Sequence, residues 1–114
     1  MQTIIPKRHL MVYKLRLEGK SWREIGEELG IAYQRAQQLY RATIEIRKAE
    51  RYFNAYAPRV ITTAYKCGYD FVRILKLYRL LKKEGILYTW KEMSDEELLS
   101  IKNFGGVNLS LLRF

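Results

Sequence analysis

The sequence predicts an all-α chain, and three observations carry that expectation. Apolar residues recur at three- and four-residue spacings, two Ser-x-x-Glu capping boxes stand ahead of apolar runs, and Gly or Pro punctuates the chain wherever one of those runs stops. Pro6 opens the first helix at a position where a missing N–H costs nothing. "KRHLMVYKLRLEG" then spaces Leu10, Val12, Tyr13, Leu15 and Leu17 helically until Gly19 ends it. Ser21 caps the second helix with Glu24 three residues on, Ile25 and Leu29 turn inward, and Gly30 supplies a left-handed turn. A third helix starting near Ala32 runs through "QLYRATIEIRKAERYFNAYA" until Pro58 forbids continuation.

Residues 59–69, "RVITTAYKCGY", read as a short helix or turn ending at Gly68. Asp70 caps "FVRILKLYRLLKKEG", in which Ile74, Leu77, Tyr78 and Leu81 gather on one side and Lys76, Arg79, Lys82 and Lys83 on the other. Gly85 stops that helix. "TWKEM" is a helical turn, Ser94 and Glu97 form the second capping box, and a glycine hairpin, "KNFGG", leads into a last helix, "VNLSLLRF". The chain divides into 1–58 and 59–114.

Composition bounds the function. The chain has 114 residues, 48% of them hydrophobic, enough to bury a core in one domain or two very small ones. Lys and Arg number 21 against 12 Asp and Glu, a net charge of +9 that favours a polyanionic partner. The lone Cys67 forms no internal disulfide, and one histidine, His9, makes no metal cluster, so no metal and no cofactor are expected. No apolar run is long enough for a membrane span and no signal-peptide core stands at the N-terminus, so the expected location is the cytoplasm. Asp95, Glu96 and Glu97 are charges favoured at a helix N-terminus rather than a catalytic cluster, and an enzyme is not expected.

In "SWREIGEELGIAYQRAQQLYR" a capped helix, a Gly turn and a second helix follow one another, the pattern of a helix-turn-helix whose second helix enters the major groove of double-stranded DNA. Ile31, Ala36 and Leu39 hold that helix to a core, leaving Tyr33, Gln34, Gln37, Gln38 and Arg41 facing outward. Over about residues 10–47, "LRLEGKSWREIGEELGIAYQRAQQLYRATI" resembles the promoter-reading C-terminal domain of bacterial sigma factors. The resemblance implies that Tyr33, Gln34, Gln37 and Gln38 contact DNA, with Arg35 at the arginine of the family pattern. Glutamine suits that role because its amide pairs bidentately with adenine. Tyr33, Gln34 and Gln37 stand where the family commonly has Arg or Glu, and Ala32 replaces its Ser/Thr cap.

Over about residues 70–114, "LLKKEGILYTWKEMSDEELLSIKNFGGVNLSLL" is similar to the C-terminal domain of the RNA polymerase alpha subunit. That resemblance implies a helix-hairpin-helix that offers backbone N–H groups to phosphates while side chains of the preceding helix enter the minor groove. The matching positions are Lys76, Arg79, Asn103, Gly105 and Asn108. Gly106 and Val107 replace a pair that is often basic in the family. Together the two modules imply a sequence-specific transcription regulator, bacterial or phage-encoded, with double-stranded DNA as partner. RNA polymerase is the second candidate partner, for a chain acting as an adaptor with little DNA binding of its own. Ala36, Leu39, Thr43, Ile46, Phe53 and Ala57 keep a seven-residue rhythm that would suit a homodimer seam, although packing on the chain's own C-terminal half is the simpler expectation.

Overall fold

A computed structural model describes residues 3–113; among them are seven α-helices, one 3-10 turn and no strand. The chain forms two compact units, Met1–Lys48 and Ala49–Phe114, and the division between them falls inside the long third helix.

In the first unit α1 (Lys7–Leu17) begins after Pro6, and Gly19, at φ 92°, follows its end. α2 (Trp22–Leu29) has the capping box expected of its sequence: the Ser21 hydroxyl accepts from the Glu24 N–H at 3.2 Å, and the Glu24 carboxylate accepts from the Ser21 N–H at 3.1 Å. Gly30 takes φ 68°, and α3 (Tyr33–Tyr56) leaves the turn with the Ala32 carbonyl accepting from Ala36. Val12, Ile25, Ala36 and Leu39 form the core, wrapped by Leu15, Trp22, Leu29, Ile31 and Tyr40. Each large aliphatic side chain so buried contributes about 1.5–3 kcal/mol.

The expected apolar face of α1 is narrower than its composition, for only Val12 is fully buried and Leu17 is 65% exposed. Aromatic contact supplements that thin core. The Arg16 guanidinium lies 4.2 Å over the Trp22 ring, Trp22 meets Tyr40 edge-on at 5.3 Å, Tyr40 stacks on Tyr13 at 5.6 Å, and Arg47 lies 4.9 Å over Tyr13. All three helices contribute to this row, and its cation–π members each add about 0.5–1 kcal/mol. The buried Thr43 hydroxyl lies 2.6 Å from the Leu39 carbonyl and 3.2 Å from that of His9, tying α3 to α1. The first half of the seven-residue stripe, Ala36 and Leu39, therefore packs within the N-terminal unit.

The second unit takes the end of α3, then α4 (Arg59–Lys66), α5 (Phe71–Lys83), a 3-10 turn (Trp90–Glu92), α6 (Asp95–Leu99) and α7 (Gly105–Arg113). Phe53, Val60, Ala64, Ile74, Leu77, Leu81, Trp90, Leu98, Phe104 and Leu111 are buried. α4 packs on α5 and α7, and α6 on α7. The Asp70 carboxylate caps α5 by accepting from the Val72 N–H at 3.0 Å. Ser94 and Glu97 form the expected box on α6. The Tyr52 hydroxyl joins two elements by donating to the Leu87 carbonyl and accepting from the Trp90 indole N–H at 2.8 Å.

At the α6–α7 connection the reversal falls on Asn103, at φ 68°, the one positive-φ residue other than glycine among those described. α7 starts at Gly105, two residues before the helix expected at Val107, because Gly105 itself, at φ 69°, makes the entry. The expected last residue of that helix, Phe114, lies outside the described residues.

Candidate nucleic-acid interface

Each unit presents a polar face that its core leaves uncommitted. In the first unit it is the outer side of α3: Tyr33, Gln34, Arg35, Gln38 and Arg41 are exposed, and Gln37 is half-buried. These residues fall on the side of the helix away from Ala36, Leu39 and Thr43, as the helical period requires. The Arg35 guanidinium donates to the Gln38 side-chain oxygen at 3.3 Å, so one turn of this face already has a hydrogen-bonded pair. Tyr33, 44% exposed, edges a shallow hollow of about 380 Å³ shared with Arg23, Glu27 and the α2–α3 turn.

On α1 His9 is half-buried, and its carbonyl accepts from the buried Thr43 hydroxyl of α3. Desolvation holds its pKa below the ordinary 6.5, and the Arg35 charge adds to the shift.

In the second unit a groove of about 310 Å³ runs between α5 and the α6–α7 connection, lined by Arg73, Lys76, Arg79, Leu80, Lys83, Asn103 and Asn108. Steps of three, three and four residues place the four cations on the α5 face opposite the buried Ile74, Leu77 and Leu81. None of the seven lining residues is acidic. Arg73 and Lys76 also face a neighbouring hollow that contains Asp70, and the Arg73 guanidinium lies 5.1 Å over the Tyr69 ring.

The groove thus brings together Lys76, Arg79, Asn103 and Asn108 of the residues singled out in the sequence. Gly105 stands at the head of α7, outside the lining. Asn108 is 7% exposed, and its amide nitrogen donates to the Phe104 carbonyl, so it stiffens the first turn of α7 as well as lining the groove. Arg73 and Lys83 belong to the groove and were not among the expected contacts. Their place could have been found by extending the Lys76–Arg79 row one turn in each direction.

Among the described residues, no cluster of His, Cys, Asp or Glu could hold a metal ion, and no helix is long and apolar enough to cross a membrane. No protein-family model, curated protein or solved structure matches the chain.

Proposed function

We propose that the protein is a sequence-specific DNA-binding transcription regulator. α2 and α3 act as a helix-turn-helix, with the Tyr33–Arg41 face reading the major groove of double-stranded DNA, while the basic groove of the second unit contacts the adjacent backbone or minor groove. The observation that carries this reading is the outer face of α3, where Gln34, Arg35, Gln38 and Arg41 are exposed beside a fully buried Ala36 and Leu39. Amide and guanidinium groups are the side chains whose donors and acceptors match base edges. The net charge of +9 supplies the sequence-independent attraction. The chain performs no catalysis in this reading.

A second reading, a polymerase-docking adaptor, is favoured by one feature. Val107 and Leu99, 39% and 47% exposed, are apolar side chains on either side of the α6–α7 connection, and the Gly106–Val107 pair itself carries no charge. One experiment separates the two. DNA selected from a random pool gives the preferred site, and its footprint is compared with that of Lys76→Ala/Arg79→Ala. DNA contact by the second unit shortens the footprint on one side. Docking leaves the footprint intact and abolishes capture of RNA polymerase. Failure of the wild-type chain to select any sequence defeats the first reading.

A further inference from the structure

We propose that the groove between α5 and the α6–α7 connection holds an unpaired nucleotide, so that the second unit binds one nucleic-acid strand in preference to a duplex. Phosphates run along Arg73, Lys76, Arg79 and Lys83, and a base edge meets the Asn103 carboxamide. This rests on the nucleic-acid reading of the second unit and adds which form of nucleic acid it takes.

Length, width and chemistry each point the same way. From Arg73 to Lys83 the helix rises about 15 Å at ~1.5 Å per residue. Successive phosphates of one strand advance ~3.4 Å along a duplex axis and lie further apart in an extended strand, so the row is long enough to meet more than one backbone phosphate. The groove has two walls, α5 on one side and the α6–α7 connection on the other, and its volume of about 310 Å³ is that of a small-ligand cleft. In a duplex every base is stacked and paired, and the backbone presented is convex. Only an unpaired nucleotide can lower its sugar and base between the walls.

The floor is not purely cationic, which separates a nucleotide from a bare polyphosphate. Leu80 offers an apolar surface for a base. The exposed Asn103, its backbone held at φ 68°, offers a carboxamide with both donors and an acceptor. Asn108 lines the same groove and carries a buried Oδ1 with no hydrogen-bond partner among the described residues.

The test uses the full chain, a labelled oligothymidylate of about 20 nucleotides and a blunt duplex of equal length. The informative variant is Asn103→Gly, which keeps the left-handed turn and removes only the carboxamide. It should weaken the single strand about tenfold, as for one lost base-edge contact, and leave the duplex unchanged. Lys76→Ala/Lys83→Ala should weaken strand binding and reduce its salt slope by about 1.4. Circular dichroism checks that both variants remain folded. Equal losses on strand and duplex for Asn103→Gly, no loss on either, or a wild-type chain that binds duplex but not the strand would overturn the inference while leaving duplex reading intact. A wild-type chain that binds neither overturns both.

Discussion

Gly26 and Ile31 meet backbone to backbone: the Ile31 N–H donates to the Gly26 carbonyl at 2.9 Å, and a Cβ on residue 26 would stand 2.6 Å from the Ile31 carbonyl oxygen. The α2–α3 turn folds back against its own helix at the one place where the helix has no side chain. Gly26→Ala gains about 1 kcal/mol of helix propensity. The clash is with backbone, which cannot rotate away, and overpacking of this kind costs about 1–3 kcal/mol. The expected net result is a lower melting temperature for the first unit together with weaker DNA binding. A melting temperature equal to or above wild type would show that the turn relaxes freely.

Sequence preference should reside in the exposed amides of α3. Gln34→Ala or Gln38→Ala is expected to cost about 1–3 kcal/mol at the preferred site and little on random duplex, the signature of base-edge contact. Gln38→Ala also releases the Arg35 guanidinium from its partner. Electrophoretic shift on both DNAs is the measurement, and identical losses on each would assign these side chains to backbone.

Tyr52 joins the end of α3 to the 86–92 segment through one hydroxyl, so Tyr52→Phe leaves the Leu87 carbonyl without its donor and the Trp90 indole without its acceptor. The expected cost is about 1–3 kcal/mol in a denaturant titration. Burial pushes the Tyr52 hydroxyl from 10.0 up to about 12. With the folded value raised, this stability is fully present below the unfolded value and is lost as pH rises through about 12. Alkaline unfolding that is unchanged by Tyr52→Phe would contradict it.

His9 gives the opposite sign. Its folded pKa is depressed below 6.5, chiefly by burial and secondarily by Arg35. The stability it contributes is present above 6.5 and is lost as pH falls through the folded value, because the unfolded chain takes up the proton first. Titration of the His9 ring protons by NMR should give a midpoint below 6.5, and Arg35→Gln should move it only part of the way back. A midpoint at or above 6.5 would refute the burial argument.

Much of this architecture was legible because its signals are local. Both capping boxes, the left-handed Gly30, the Asp70 cap and the buried face of α5 each depend on residues within one or two turns of one another. The signals failed where tertiary packing decides. Nothing near Leu17 announces that it is left outside while Val12 alone is buried from α1, and the division of α3 between two units depends on partners far along the chain. The basic row was legible from periodicity for Lys76, Arg79 and Lys83, and Arg73 lies one turn back along the same face, although only Lys76 and Arg79 were read as contacts. Asn103 was read as a contact and is also the residue whose backbone makes the turn, a double use that side-chain chemistry alone does not reveal.

The placement of the two indoles gives each unit its own optical reporter. Trp22, half-buried beneath the Arg16 guanidinium, belongs to Met1–Lys48; Trp90, 2% exposed, belongs to Ala49–Phe114, and the chain has no third tryptophan. Trp22→Phe therefore leaves a chain whose emission follows the second unit alone, and Trp90→Phe one whose emission follows the first. Because Trp90 is dry and Trp22 partly wet, their native spectra differ in colour as well. Whether nucleic acid is felt by one half of the chain or by both is then a matter of which emission moves.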